Sequence, residues 1–308
     1  MGRRRKGRPI HGWLIVDKPA GMSSNAVVGA VRRATGAAKV GHGGTLDPLA
    51  TGVLPVALGE ATKTVAYVMD GTKVYHFTIR WGEARSTDDA EGEVTETSPV
   101  RPGAAEVRAR LADFIGEIVQ VPPAYSAVKV DGQRAYKLAR ADKPVDLAPR
   151  RIVIHDFTLL DMPDADHALF QVVSGKGAYM RALARDLALA LGTCGHIAML
   201  RRIAVGPFSQ DTAISLDKLV DVGHSARLAD FLLPVETALD DIPALALTEA
   251  EARRLQHGQP IPVLPVAARS PFKEVGQGDT VCAMSEGKLV ALARISGGEI
   301  RPLRVLNM

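Results

Sequence analysis

One aspartate stands in a setting that plain surface chemistry does not call for. Asp47 lies in Gly41-His-Gly-Gly-Thr-Leu-Asp47-Pro-Leu-Ala-Thr-Gly52. The glycines let the backbone approach a ligand closely, and Pro48 stiffens the residue after the acid. Leu46, Leu49, Val53 and Leu54 are apolar and suited to tuck the loop against a core. A carboxylate among apolar neighbours needs a partner. It can then do catalytic work, or it can simply brace a turn, since Asp-Pro is a common turn starter. Arg181 is a candidate partner, because a buried guanidinium needs a carboxylate. The alternative for Arg181 is a solvated head whose stem covers apolar surface. Tyr75 and Tyr179 can each stack on a nucleobase, worth about 1–3 kcal/mol, or pack into a core.

These residues need elements to carry them. Residues 12–17 read as a short buried strand ending at Lys18-Pro19. Ser23 or Ser24 caps a helix that carries Val27, Val28 and Val31 and stops near Gly36. Residues 39–52 are punctuated by Gly and Pro without usable periodicity. Residues 53–58 return to strand character, and 60–69 read as helix. Residues 73–81 alternate, with Tyr75, Phe77, Ile79 and Trp81 on one face. A polar loop over 83–92 follows, then a helix over 103–115. Two strand-like pieces flank Pro122-Pro123 within 116–131, and 134–140 read as a short helix. Residues 150–161 and 167–174 are β-rich. A helix over 178–191 places Met180, Leu183, Ala184, Leu187 and Leu191 on one stripe, with Arg181 beside it.

Strands and helices mix without regular βαβ alternation, which favours an α+β fold with a large mixed or antiparallel sheet. Near residue 240 the character changes to short strands broken by Pro and Gly, with Thr248 capping a helix to His257. The expected organisation is a basic disordered tail over 1–9, a catalytic domain over 10–240 and a small β-rich domain over 245–308.

Composition narrows the function. The 308 residues hold 38 Lys and Arg against 34 Asp and Glu, a net charge of +4. Five of the basic residues fall in the first eight positions, so the body itself is close to neutral. Pairs such as Arg32-Arg33, Arg150-Arg151 and Arg201-Arg202 are candidates to line an RNA groove, or are plain surface. Cys194 and Cys282 form no C-x-x-C pair, and the eight histidines show no metal-ligand spacing. G-x-G-x-x-G fails at Leu46, and no Gly-Lys-Ser/Thr, G-x-S-x-G or H-E-x-x-H occurs. Asp88-Asp89 and Asp240-Asp241 read as solvated surface rather than as Mg²⁺ sites. No metal and no cofactor is expected. No apolar run reaches the roughly 18 residues of a membrane span, and the apolar run after the basic N-terminus ends at Asp17-Lys18, too short for a signal peptide. The expected location is the cytoplasm.

The loop Gly-His-Gly-Gly-Thr-Leu-Asp47-Pro-Leu-Ala-Thr-Gly-Val-Leu-Pro closely resembles the signature loop of bacterial tRNA pseudouridine-55 synthases. Four further stretches match in the family's order: Leu14-Ile-Val-Asp-Lys18-Pro19-x-Gly21-Met-Ser-Ser, Lys73-x-Tyr75, Pro122-Pro-x-Tyr125-Ser126-Ala-x-Lys129-x-x-Gly132, and Ser174-x-Lys176-Gly-x-Tyr179-x-Arg181. Leu200-Arg201-Arg202 also fits. The resemblance covers about residues 10–235, and the C-terminal piece is similar to the small PUA-type RNA-binding domain often appended in this family.

The resemblance implies a fold of pseudouridine synthase type and a cofactor-independent isomerase. Its substrate would be uridine 55 in the T-loop of tRNA, bound through the T-arm, with no obligatory protein partner and as a monomer. It implies Asp47 as the nucleophile, with Arg181 pairing to it. Tyr75 would stack on the target uracil and is the candidate general base. Tyr179 and Leu200 would wall the uracil pocket. His42 would fill the stack left by the flipped base, Asp89 would help position the substrate, and Lys18 and Pro19 would brace the catalytic loop. Gly43 and Gly175 stand where relatives often carry Thr and Ser. A second reading is an RNA-binding or tRNA-folding factor with secondary catalysis. A third is the catalytic subunit of a guide-RNA particle, although the Pro-Pro-x-Tyr-Ser-Ala-x-Lys stretch resembles the stand-alone bacterial branch.

Overall fold

The apolar run at the start of the chain is buried on both sides, and this sets the architecture. The computed structural model describes residues 7–126, 128–130, 133–135, 141, 147–270 and 275–308. In it, strand β1 (Gly12–Lys18) sends Trp13 and Ile15 into one core and Leu14 and Val16 into another. A strand covered on both faces needs no alternation, which is why its sequence reads as a continuous apolar run.

Helix α1 (Ser24–Thr35), strands β2 (Val40–His42) and β3 (Thr51–Leu58), helix α2 (Val65–Asp70) and strand β4 (Lys73–Trp81) follow. Next come the paired strands β5 (Glu83–Arg85) and β6 (Val94–Thr97), helix α3 (Ala104–Leu111), strand β7 (Gly116–Gln120) and the short strands β8 (Lys129–Val130) and β9 (Gln133–Arg134). Strands β10 (Arg150–Asp161) and β11 (His167–Ser174), helix α4 (Met180–Ala190), strands β12 (Gly195–Val205), β13 (Phe208–Ser209) and β14 (Ile214–Ser215) and helix α5 (Leu216–Val222) complete this part. Ten strands form one sheet in the order β14-β1-β3-β12-β4-β11-β10-β7, with β2 on β3 and β13 on β12. The β1–β14 and β3–β12 pairs are parallel and the β4, β7, β10 and β11 neighbours are antiparallel, so the sheet is mixed.

Helices α1 and α4 cover one face through Val27, Val31, Met180, Leu183 and Leu187. The other face, under β1 and β3, is covered from the C-terminal side of the chain. There β15 (Ala244–Ala246), helix α6 (Glu249–Gln256), β16 (Ile261–Pro262), helix α7 (Val263–Ala267), β17 (Thr280–Ser285), β18 (Lys288–Ser296) and β19 (Glu299–Val305) build a five-stranded sheet ordered β15-β17-β18-β19-β16. Its Leu289, Leu292 and Leu306 share a core with Trp13, Ile15, Val53 and Phe208. Lys63 Nζ donates to the Val305 carbonyl at 2.7 Å, and the Asn307 N–H donates to Glu60 at 2.9 Å, fastening the chain end to the large sheet. No helix among the described residues is long and apolar enough to cross a membrane, and no group of three or more His, Cys, Asp or Glu side chains there could hold a metal ion.

Several elements differ from the sequence reading. The helix expected over 60–69 is a 3₁₀ turn (Gly59–Lys63) followed by α2, because Thr64 leaves helical geometry and its hydroxyl turns back onto the Ala61 carbonyl. The helix expected over 103–115 is α3 plus a 3₁₀ turn. The aperiodic 39–52 stretch contains β2, and the polar 83–92 loop begins as β5. Most of the helix expected over 134–140 lies outside the described residues, and Gln133–Arg134 pairs with β8. The expected free leader stops short of residue 9: Arg8 donates to the Thr35 and Gly223 carbonyls, and its backbone pairs with Gly36 and Ala38. Thr35 ends α1 and Gly223 follows the last residue of α5, so Arg8 sits at the C-termini of two helices, where a cation is favoured.

Candidate active site

Residues 43–50 leave β2 and return to β3 as a loop whose shape is held by side chains from three other elements. Ser23 caps α1 by accepting the Ala26 N–H at 3.2 Å. Its neighbour Ser24 is buried and does something different. The Ser24 hydroxyl accepts the Leu46 N–H at 2.8 Å and donates to the Leu46 carbonyl at 3.0 Å, tying the loop to the helix start. Lys18, at the end of β1, is fully buried, and its Nζ donates to the Pro19 and Pro48 carbonyls at 2.8 and 3.0 Å. Arg202, on β12, is 1% exposed. It donates to the carbonyls of Val53, Gly44 and Thr45 at 2.8, 3.1 and 3.4 Å. β3 passes so close to β12 that a Cβ on Gly52, at φ +96°, would lie 2.2 Å from the Arg202 carbonyl oxygen. Only glycine fits there.

Asp47 serves as both turn starter and ion-pair partner. Its carbonyl accepts the Ala50 N–H at 3.1 Å, closing the Asp-Pro turn. Its carboxylate faces Arg181, whose Nε and Nη2 both lie 2.9 Å from Oδ2. Oδ1 has no hydrogen bond among the described residues. The Asp47 side chain is 35% exposed and that of Arg181 4%. Arg181 is thus buried rather than half covered, and its remaining donors reach the Thr87 and Tyr125 carbonyls at 2.8 and 2.9 Å, with Asp89 at 3.5 Å. The guanidinium is saturated, so its orientation is fixed.

Asp47 lies between two hollows. A cleft of about 650 Å³ is lined by Asp47, Arg181, Asp89, His42, Glu91 and Ser126 among others. A smaller hollow of about 280 Å³ is lined by Asp47, Tyr75, Tyr179, Leu200, Lys73 and Met69 among others. Tyr75 and Tyr179 are half-buried and Leu200 is buried. Tyr179 is held through its backbone: its N–H donates to Gln120 Oε1 at 2.8 Å, and Gln120 Nε2 donates to its carbonyl at 3.1 Å. Arg150 lies over its ring at 5.7 Å. Lys18 and Pro19 line neither hollow, and the bonds of Lys18 place it behind the loop as a brace.

The electrostatics follow from burial around one cation. Burial, then the Arg202 guanidinium, holds His42 below the usual histidine range, so its ring is neutral at pH 7. Burial lowers Lys18 to about 8, against the pull of Asp47, and lowers Lys73 to about 8 with help from Arg202. Lys73 caps the end of α2 by donating to the Met69 and Gly71 carbonyls.

The structure corrects two readings made from the sequence. Arg202 is a buried brace rather than plain surface, and part-exposed Arg201 is paired with Asp17 at 3.0 Å. Asp88 and Asp89 are largely buried against arginines rather than solvated. Gly43 has no room for a side chain, since a Cβ there would lie 2.7 Å from Val68 Cγ1, whereas Gly175 faces looser surroundings. Gln120, Ser24 and the bracing role of Arg202 escaped the sequence reading. Ser24 alone left a signal, as the second of two cap candidates.

Residues 32–180 match the N-terminal domain of TruB family pseudouridylate synthases, and residues 181–240 match the tRNA pseudouridylate synthase B C-terminal domain. The tRNA pseudouridine synthase B of Rhodospirillum rubrum is 63% identical over the full length of both chains, and that of Caulobacter vibrioides 53% over the full length of both. Among solved structures, a Cbf5-Nop10-Gar1 complex contains a chain 26% identical, covering 99% of this chain and 91% of that one at a TM-score of 0.76. The archaeal box H/ACA sRNP Nop10-Cbf5 complex contains one 25% identical, covering 99% and 92% at a TM-score of 0.73. With the braced aspartate loop, the mixed sheet and full-length relatives in agreement, the chain belongs to the TruB family of tRNA pseudouridine synthases, which are isomerases.

Proposed function

We propose that this enzyme converts uridine 55 in the T-loop of tRNA to pseudouridine, with Asp47 as the nucleophile. The observation that carries the reading is the geometry of one carboxylate. Arg181 takes Oδ2 with two nitrogens and leaves Oδ1 without a hydrogen bond among the described residues, beside a hollow walled by Tyr75, Tyr179 and Leu200. A carboxylate with one oxygen anchored and one free is oriented to attack.

The reaction breaks the N1–C1′ bond and forms C5–C1′. Asp47 adds to uracil C6 or to ribose C1′, the base turns, C5 joins C1′, and the bond to Asp47 breaks, returning the free carboxylate. The C5 proton is then removed and N1 ends protonated, so atoms balance without any redox step. Tyr75 stacks on the uracil and takes the C5 proton. Tyr179 and Leu200 hold the ring, and Asp89 steadies Arg181 from the far side of the guanidinium. Extruding the base costs a few kcal/mol; stacking by neutral His42 in the vacated place and by Tyr75 in the hollow offsets it. The five-stranded C-terminal domain adds RNA contacts, and the chain acts alone on bare tRNA as a monomer.

The test uses an unmodified T-arm RNA and its 5-fluorouridine counterpart, read by mass. Wild type should convert one T-loop uridine. Asp47→Asn should lose at least about 10³-fold in rate while binding the T-arm normally. Tight binding without conversion by wild type would favour the RNA-binding-factor reading, and activity only with added guide RNA would favour the particle reading.

A further inference from the structure

Helix α4 presents two arginines, one turn apart, to the same loop. Arg181 holds the Thr87 carbonyl and faces the Asp89 carboxylate. Arg185, four residues on, donates to Asp88 Oδ2 at 3.0 Å, to the Val121 carbonyl at 2.9 Å and to Asp186 at 2.9 Å. Three consecutive residues, 87 to 89, therefore reach one helix. In extended chain, successive side chains point to opposite sides. Thr87 reaches α4 through its carbonyl, and the Asp88 and Asp89 carboxylates both turn to it because Asp88 adopts φ +58°, in the left-handed region.

That backbone is unfavourable for a residue with a side chain, least so for Asp and Asn, and it has to be held. The Asp88 N–H donates to the Arg85 carbonyl at 2.9 Å, and its carbonyl accepts the Ile197 N–H at 3.1 Å. The remaining tie is the carboxylate on Arg185. Burial pushes the Asp88 carboxyl above the usual range, against the pull of Arg185 and Arg181. The carbonyls held by the two arginines, Val121 and Tyr125, also flank Pro122-Pro123 beside the larger cleft. Neither Asp88 nor Arg185 lines a hollow.

We propose that the Asp88–Arg185 pair is a positioning device for the reaction: it locks the 87–89 turn so that Thr87 and Asp89 fix Arg181, and through Arg181 the orientation of Asp47. The proposal rests on the reading of Asp47 as nucleophile. Because the pair acts through Arg181 and touches no substrate, its loss lowers the chemical step and leaves RNA affinity alone.

The experiment compares single-turnover rates and T-arm affinities of wild type, Asp88→Asn, Arg185→Met, Arg185→Lys, the double variant Asp88→Asn with Arg185→Met, and Asp47→Asn, each verified as folded by its melting transition. Asn tolerates the left-handed backbone, so Asp88→Asn removes the charge with little strain. It should lose about tenfold in single-turnover rate, as small misplacements at an active site do, with T-arm Kd within about twofold. Arg185→Met should match it, and the double variant should lose no more than Arg185→Met alone, because the two residues work as one unit. Arg185→Lys should recover part of the rate by keeping the ion pair. A wild-type single-turnover rate in Asp88→Asn, a loss seen only in Kd, or additive losses in the double variant would overturn the proposal while Asp47→Asn remains inactive. Turnover by Asp47→Asn would overturn the nucleophile reading, and the proposal with it.

Discussion

The loop around Asp47 and the C-terminal domain are attached to the same large sheet by opposite kinds of force. The loop is held by buried cations and a buried hydroxyl that grip main-chain atoms: Lys18 on Pro48, Arg202 on Gly44, Thr45 and Val53, Ser24 on Leu46. The C-terminal domain is held by apolar burial, with Leu289, Leu292 and Leu306 against Trp13, Ile15, Val53 and Phe208. Its polar ties, such as Lys63 to Val305 and the Leu289 N–H to Glu236, lie at the edge. Apolar burial is non-directional and contributes stability. Hydrogen bonds to carbonyls contribute little net stability but fix position, and they are expensive to break once buried. One attachment therefore governs geometry and the other governs whether the domain stays on.

This contrast can be broken by substitution, most sharply at Arg202. Arg202→Met fills similar volume but strands three carbonyls, costing about 2–4 kcal/mol. Turnover of the folded fraction should fall by more than tenfold, since the loop loses its fastening. Normal turnover in folded Arg202→Met would show that the loop holds its own shape.

Leu292→Ala removes a fully buried side chain from the shared core and should cost about 2–4 kcal/mol, read as a lower midpoint in denaturant. Its folded fraction should still convert an isolated T-arm within about twofold of wild type. A deep loss of turnover would mean that the domain shapes the site and that the two attachments are not separable.

The smallest effect sharpens the comparison by pH. Burial lowers Lys18 to about 8 from its ordinary 10.5. Between those values the unfolded chain binds more protons than the folded one, so this group's contribution to stability rises with pH across that window and is unchanging below it. Stability profiles of wild type and Lys18→Met from pH 7 to 10 should differ by that rise. Parallel profiles would mean that the buried ammonium keeps its ordinary proton affinity.

The sequence was informative wherever chemistry and periodicity coincided. Asp47 stood out by its glycine- and proline-framed loop, Arg181 by its place beside an apolar stripe, and Tyr75 by alternation along β4. The mixed sheet followed from the irregular order of strand and helix. β12 escaped notice because bulges at Ile197/Met199 and Arg202/Ala204 break its alternation. The bracing roles of Arg202 and Gln120 escaped because their partners are main-chain atoms about 150 and 59 residues away, which no spacing rule reports. Arg201-Arg202 read as one basic pair, yet adjacent residues on a strand face opposite ways, so one is buried and the other meets Asp17.

The grip on carbonyl oxygens also has a kinetic meaning. Lys18 is rooted in β1 and Arg202 in β12, on either side of β3 in the sheet. Swinging the Asp47 loop out as a hinged flap would break those bonds to Pro48, Gly44 and Thr45. The Leu46 and Ala50 amide protons, which donate to Ser24 Oγ and the Asp47 carbonyl, should therefore exchange with solvent more slowly than those of a surface segment. On the proposed reading of Asp47 as nucleophile, each incoming uridine then meets an attacking group already in place, and the motion needed for turnover falls to the RNA.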